Sequence, residues 1–264
     1  MFDTFGYGSN LDLASLRAKG VAPVESRRGV LPGWRLRFNV AHFFVHEGGV
    51  ANIERTDDPA DQVRGVVHRL SDDALALLDE AEAYPDGYDR VTVPVRTRHG
   101  IVDALAYVGT AGFIDNTRLP SRRYLNIVVR GAERAGLDES YVERLRTHPA
   151  LPLRSDPPFE HPTGDYPTFT AATLAAHPTY TALNGAVFDM ADARAEHQLL
   201  VGSYGGRDMT DSHLRRLDTS DGSATAVAPQ ARTPAQTAYL NTFLHSYLQE
   251  YVYVGRLADD PTDR

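Results

Sequence analysis

Short β-rich runs, broken again and again by turn-forming residues, leave the first half of this chain few architectures to choose from. Residues 2–7 read as a strand stopped by Gly8-Ser9-Asn10. Residues 34–40 alternate apolar and polar positions with the period of two that a half-buried strand requires. Residues 49–54, 63–70, 88–96 and 102–108 supply four more candidate strands. Helical signals are fewer. Ser71 stands where it can cap a helix over residues 71–83, with Asp72 and Asp73 complementing the dipole of its first turn. A second helix is predicted over 121–135, ended by Gly136, and a short third starts near Glu139 and stops before Pro149. Many short strands with few helices between them predict an α+β fold, a small mixed β-barrel or curved sheet with flanking helices.

Past residue 148 the composition shifts. Residues 149–168 are proline-rich and contain Gly164, which is linker chemistry. The expected organisation is a domain over 1–148, a linker over 149–168, and a C-terminal α+β domain over 169–264. That last part has its own strand signal over 180–190 and a run of small polar residues over 218–234 that reads as a flexible loop. No internal repeat is evident.

Charge and composition remove several functions. A formal net charge of -8 argues against a polyanionic partner, so nucleic acid is not expected. Cysteine is absent, which excludes disulfides, thiolate nucleophiles and cysteine-ligated metals. Met1-Phe2-Asp3-Thr4 lacks the basic and apolar stretches of a secretory signal, and no run approaches the roughly 20 apolar residues of a membrane span. A cytoplasmic protein without a membrane partner is expected. Lys19 is the only lysine among otherwise arginine-based cations, a bias that by itself suggests no function.

Two segments carry chemistry. Phe5-Gly6-Tyr7-Gly8-Ser9-Asn10-Leu11 is a strand breaking into a turn of small residues. Such a turn lets backbone approach a ligand, and successive N–H groups can form a concave anion site; it can equally be a tight turn and nothing more. In Leu77-Leu78-Asp79-Glu80-Ala81-Glu82-Ala83, helical spacing puts Glu82 on the apolar stripe of Leu75 and Leu78, and Glu80 on the solvated face. A carboxylate turned into an apolar face is suited to proton transfer, whereas one at a fraying helix end can simply cap or pair.

Together these segments resemble the γ-glutamyl cyclotransferase family. Residues 5–11 look like its Y-G-S-N-L signature, and 78–82 like its L-D-x-x-E stretch, whose last Glu is the catalytic one, here Glu82. Further pieces at 33–38, 48–53, 63–68, 120–124 and 131–137 follow the family's order, so the resemblance spans about residues 1–148. Ala83 departs from the glycine that many members carry there. The resemblance implies an enzyme in which the α-amine of a γ-glutamyl amide attacks its own γ-carbonyl, releasing 5-oxoproline and an amine. Glu82 would be the general acid/base, with backbone around Gly8, Ser9, Asn10 and Leu11 gripping the glutamyl part. Tyr7 would form a wall, and Tyr124 would donate to a carboxylate or steady Glu82. The implied partner is a small γ-glutamyl molecule, the catalytic domain needs no cofactor or metal, and the appended domain points to a specialised conjugate. The leaving amine and the oligomeric state stay open.

The tail shows a weaker resemblance, to the cytochrome b5-like family, through residues 169–174, 181–190, 205–210 and 251–257. Its H-P-G-G axial motif is missing, and His197, His213 and Tyr204 are haem candidates by position only. A degenerate, cofactor-free domain is the expectation. His42, His46 and Glu47 invite a metal reading, but a strand leading into Gly48-Gly49 does not align them, and no metal site is expected. No nucleophile-elbow motif supports a serine triad. Two alternatives remain: a haem- or hydrophobic-ligand-binding module fused to a non-catalytic cyclotransferase-like domain, and a same-fold enzyme catalysing another intramolecular amide attack.

Overall fold

The computed structural model describes residues 1–56, 58–223 and 226–258. The chain forms two compact units, Met1–Leu153 with Asp218–Ser223, and Arg154–Leu217 with Ala224–Arg264.

The first unit begins with β1 (Phe2–Gly6), a short 3-10 turn (Ser9–Leu11) and α1 (Leu13–Ala18). There follow β2 (Glu25–Pro32), β3 (Trp34–Ala41), β4 (Gly49–Arg55) and β5 (Gln62–Leu70). Next come α2 (Ala74–Ala81), β6 (Tyr88–Thr97), β7 (Gly100–Gly109), α3 (Arg122–Arg134) and α4 (Glu139–Arg146). Five strands close a barrel in the order β1-β5-β2-β6-β7. Most pairs are antiparallel, with Phe2 opposite Leu70 and Tyr88 opposite Gly109, and the seam is a parallel contact of Thr4 with Leu105. Closure leaves no open edge to be capped, and Phe5, Val67, Val93, Val95, Ala104 and Ala106 fill the interior.

The mixed barrel with flanking helices agrees with the sequence reading, with three differences. Residues 25–32 form a barrel strand that shows little apolar alternation, because its first half is polar, with Glu25, Ser26 and Arg28 facing solvent. Strands β3 and β4 pair only with each other, as a separate hairpin beside the barrel. The helix expected from Ser71 starts three residues later, and no side chain caps it. Ser71 contributes only its carbonyl, which accepts the Ala74 amide. In α3, by contrast, Ser121 accepts the Tyr124 amide as an N-cap, and an apolar stripe including Tyr124, Leu125, Val128 and Ala132 faces the core.

Part of the stretch read as a flexible loop is held in the first unit. Arg130 donates to the carbonyls of Asp218 and Ser220, and Arg17 donates to that of Asp221 at 2.7 Å. Ala224 and Thr225 of that stretch lie outside the described residues.

The second unit contains β8 (Thr168–Phe169), α5 (Ala171–Ala175), β9 (Tyr180–Leu183) and β10 (Ala186–Asp189). After these come α6 (Ala195–Gln198), α7 (Val201–Tyr204), β11 (Arg207–Asp208), α8 (Thr210–Arg215), α9 (Pro234–Glu250) and β12 (Val252–Leu257). Its sheet runs β11-β9-β10-β12-β8. The strand expected over 180–190 is a hairpin. Asn184 and Gly185 at its tip have φ of 48° and 82°, the positive pair that a two-residue hairpin turn demands and that an Asn-Gly sequence adopts readily.

Candidate active site

Where β1 ends, the chain turns through Gly8 and the 3-10 turn Ser9–Leu11. A Cβ on Gly8 would stand 2.6 Å from the Ala51 Cβ and 2.9 Å from the Tyr124 hydroxyl, so only glycine permits this approach. The turn is fixed from three sides. His68 on β5 meets the Asn10 carbonyl through Nε2 at 2.9 Å and the Ser26 hydroxyl through Nδ1 at 2.8 Å. A carbonyl only accepts, so Nε2 carries the proton and Nδ1 accepts from Ser26. Burial holds the His68 imidazole down at about 4, against the partly opposing bond to Asn10. Asp12, fully buried, caps α1 through the Ser15 amide and pairs with Arg130 and Arg134 of α3. Tyr124 of α3 accepts the Ala51 amide at 3.1 Å and also engages Ser9.

Glu82 comes to this turn from the far end of α2. It is the C-cap residue, and its amide bonds the Leu78 carbonyl. Its side chain is not set in an apolar face. Oε1 accepts from the Asn10 side-chain amide at 3.1 Å and from Lys19 Nζ at 2.7 Å. Oε2 has no hydrogen-bond partner among the described residues. With its side chain 13% exposed, Glu82 is sheltered but reachable. Glu80 is exposed, as its helical position requires. Ala83, where the resemblance leads one to expect glycine, has φ of 51°. That left-handed conformation is strained for alanine and free for glycine.

A small pocket joins these groups, lined by Phe5, Tyr7, Gly8, Ser9, Asn10, Ala51, Glu82, Tyr88, Tyr107 and Tyr124. Tyr7 donates to the Tyr107 carbonyl, Tyr88 to the Ala51 carbonyl at 2.6 Å, and Tyr107 to Asp79 at 2.8 Å. Burial pushes all four tyrosines up, Tyr124 to about 12, and the Glu82 charge adds to it. They stay protonated near neutral pH, and Tyr7, Tyr88 and Tyr107 are fixed as donors to groups of the protein.

Of the residues singled out in the sequence, Tyr7, Gly8, Ser9, Asn10, Tyr124 and Glu82 meet at this pocket. Leu11 does not line it. Its side chain is buried in the core and its amide closes the turn onto the Gly8 carbonyl. Tyr124 steadies Ser9 and Ala51 rather than Glu82. Sequence reasoning missed Lys19, Tyr88, Tyr107 and His68, and only Lys19 left a signal, as the sole lysine of the chain.

Elsewhere, Glu47 lies on a 3-10 turn (Val45–Glu47), not on a strand. Both its oxygens are engaged by Arg123, at 2.7 and 2.8 Å, and one also accepts from Ser121. Burial would raise this carboxyl, but Arg123 overrides it and holds the group at about 2. Glu47 is thereby committed to a buried ion pair with Arg123. In the second unit, His197 and His213 are buried and bond the hydroxyls of Tyr251 at 2.8 Å and Tyr247 at 2.9 Å. Tyr204 packs against His213 and Tyr247. Both histidines pack within an aromatic core, His197 against Tyr251 and His213 against Phe243.

Residues 62–145 match the AIG2-like family. The gamma-glutamylcyclotransferase of Mus musculus is 30% identical over 147 residues, covering 54% of this chain and 76% of that protein. The Homo sapiens counterpart is 29% identical over the same length and shares. A solved structure of a gamma-glutamyl cyclotransferase, 27% identical, has a TM-score of 0.51 and covers 59% of this chain and 92% of its own. Over its N-terminal segment the chain belongs to the AIG2-like, gamma-glutamylcyclotransferase-like family.

Proposed function

We propose that the first unit is a γ-glutamyl cyclotransferase with Glu82 as its general acid/base. The observation that carries this reading is a sheltered carboxylate with one oxygen anchored and the other unengaged, at the edge of a small pocket built on the Gly8–Asn10 turn. The substrate α-ammonium gives a proton to Oε2. Its nitrogen then forms a bond to the γ-carbonyl carbon and loses its second proton to water, the amide C–N bond breaks, and the departing nitrogen receives the proton held by Glu82. The products are the five-membered lactam 5-oxoproline and a free amine. The attack is intramolecular, and holding the substrate coiled with its reacting atoms aligned removes much of the entropic part of the barrier, while Glu82 supplies the proton that the leaving nitrogen needs.

The names of the relatives and the small pocket support a γ-glutamyl substrate. The second unit, with its histidines packed in an aromatic core, is read as a cofactor-free domain. Its presence favours a specialised γ-glutamyl conjugate over plain glutathione. A panel of γ-glutamyl amides, including glutathione, γ-glutamyl amino acids and γ-glutamyl-lysine, tests the reading by release of 5-oxoproline. Turnover of at least one is expected, and silence across the panel overturns it.

A further inference from the structure

We infer that Lys19 is a positioning residue for the proton shuttle, an inference that rests on the cyclotransferase reading. Its Nζ lies 2.7 Å from Glu82 Oε1, 2.6 Å from Asn10 Oδ1 and 3.4 Å from Ser9 Oγ. An ammonium has three donors and no acceptor, and here each donor has an acceptor. Those acceptors come from the two segments that build the site, the turn after β1 and the end of α2. The lysine is the C-cap residue of α1, so its stem reaches from a third element to join them.

The consequence is geometric. Asn10 presents its oxygen to Lys19 and its NH2 to Glu82, so the orientation of that amide is set by the lysine. Lys19 and Asn10 together occupy Oε1. The carboxylate then cannot rotate to exchange its oxygens without losing two bonds, one of them charge-assisted. Oε2 is the oxygen left to take the proton and return it.

Arginine does not replace such a group. Its planar fork suits a carboxylate met edge-on, whereas a compact ammonium reaches three acceptors in different directions. The chain uses arginine for every other permanently charged cation, and lysine stands here, with its side chain only 10% exposed.

Two measurements test this. Because the chain has one lysine, biosynthetic labelling with 13C,15N-lysine gives a single side-chain resonance set that reports on Lys19. Glu82→Gln and Asn10→Ala are expected to shift it, and Glu80→Gln is not. An unmoved signal in Glu82→Gln overturns the inference, whatever the protein's activity. The second measurement is steady-state kinetics on a γ-glutamyl amide that the wild type turns over. Lys19→Met is expected to lower kcat by about 10-fold or more with KM within about twofold, the split expected when positioning is lost but binding is kept. Lys19→Arg, which keeps charge and stem, provides a second folded variant and is also expected to lower kcat. Wild-type kcat in either folded variant overturns the positioning role while leaving the cyclotransferase reading intact. A wild type inactive on every γ-glutamyl amide, with the resonance shifting as expected, overturns that reading and the role with it, but not the contact.

Discussion

Glu47 and Glu82 are both carboxylates that the first unit draws out of water, and they differ in how far their oxygens are committed to the protein. Glu47 is 2% exposed, with both oxygens tied by Arg123 and one also by Ser121. Glu82 is 13% exposed, with one oxygen tied and the other without a partner among the described residues. Burial is deeper at Glu47, whose carboxyl Arg123 holds well below its usual value. The oxygens of Glu47 are committed to Arg123 and Ser121, whereas Glu82 keeps one oxygen facing the pocket edge.

Breaking the first member of this pair should have the largest effect on stability. Arg123→Ala leaves Glu47 buried without its cation, and a loss of about 3–5 kcal/mol in urea denaturation is expected. A loss below about 1 kcal/mol would mean that the pair is not buried as described.

Next in size is the response to acid. The Glu47 carboxyl, at about 2 in the fold against 4.5 in the free state, stabilises the protein fully above 4.5, and this is lost as pH falls toward 2. Integrated over that window it amounts to about 3 kcal/mol. His68, at about 4 in the fold against 6.5, also prefers its proton in the unfolded chain. Its contribution is full above 6.5 and is lost as pH falls through 4. Denaturation midpoints measured from pH 7 downward should fall across both windows, and His68→Asn should flatten the part between 6.5 and 4. An unchanged slope in that variant would remove His68 from the account.

The smallest effect belongs to the backbone beside Glu82. Ala83→Gly removes a side chain from a left-handed position, and a gain of about 1 kcal/mol is expected in the thermal or urea midpoint. A destabilised Ala83→Gly would show that the glycine's extra freedom in the unfolded chain outweighs the strain.

Much of this site was legible in the sequence, for local reasons. The Gly8-Ser9-Asn10 turn and the Leu78-to-Glu82 stretch each declare themselves within a few residues, and alternation over residues 34–40 found β3. What escaped depends on distant partners. Strand β2 exists because β5 and β6 pair with it, not because its own residues alternate. The exclusion of β3 and β4 from the barrel depends on where β1 and β7 meet, across a hundred residues. Helical spacing turned Glu82 toward Leu75 and Leu78, but the helix ends at Ala81, so Glu82 follows the geometry of a helix end. Its partner Lys19 comes from 63 positions earlier, which no periodicity reveals. The Asn184-Gly185 pair, by contrast, was a readable hairpin signal inside a segment taken as one strand.

The most direct test of the central claim compares Glu82→Gln with Glu80→Gln in the release of 5-oxoproline from an accepted γ-glutamyl amide. The amide at 82 keeps the shape and removes the proton acceptor, so turnover is expected to fall by about 100-fold or more while circular dichroism and the thermal melt still report a folded protein. Glu80→Gln, on the exposed side of α2, is expected to match the wild type. Wild-type turnover in a folded Glu82→Gln protein would contradict the account.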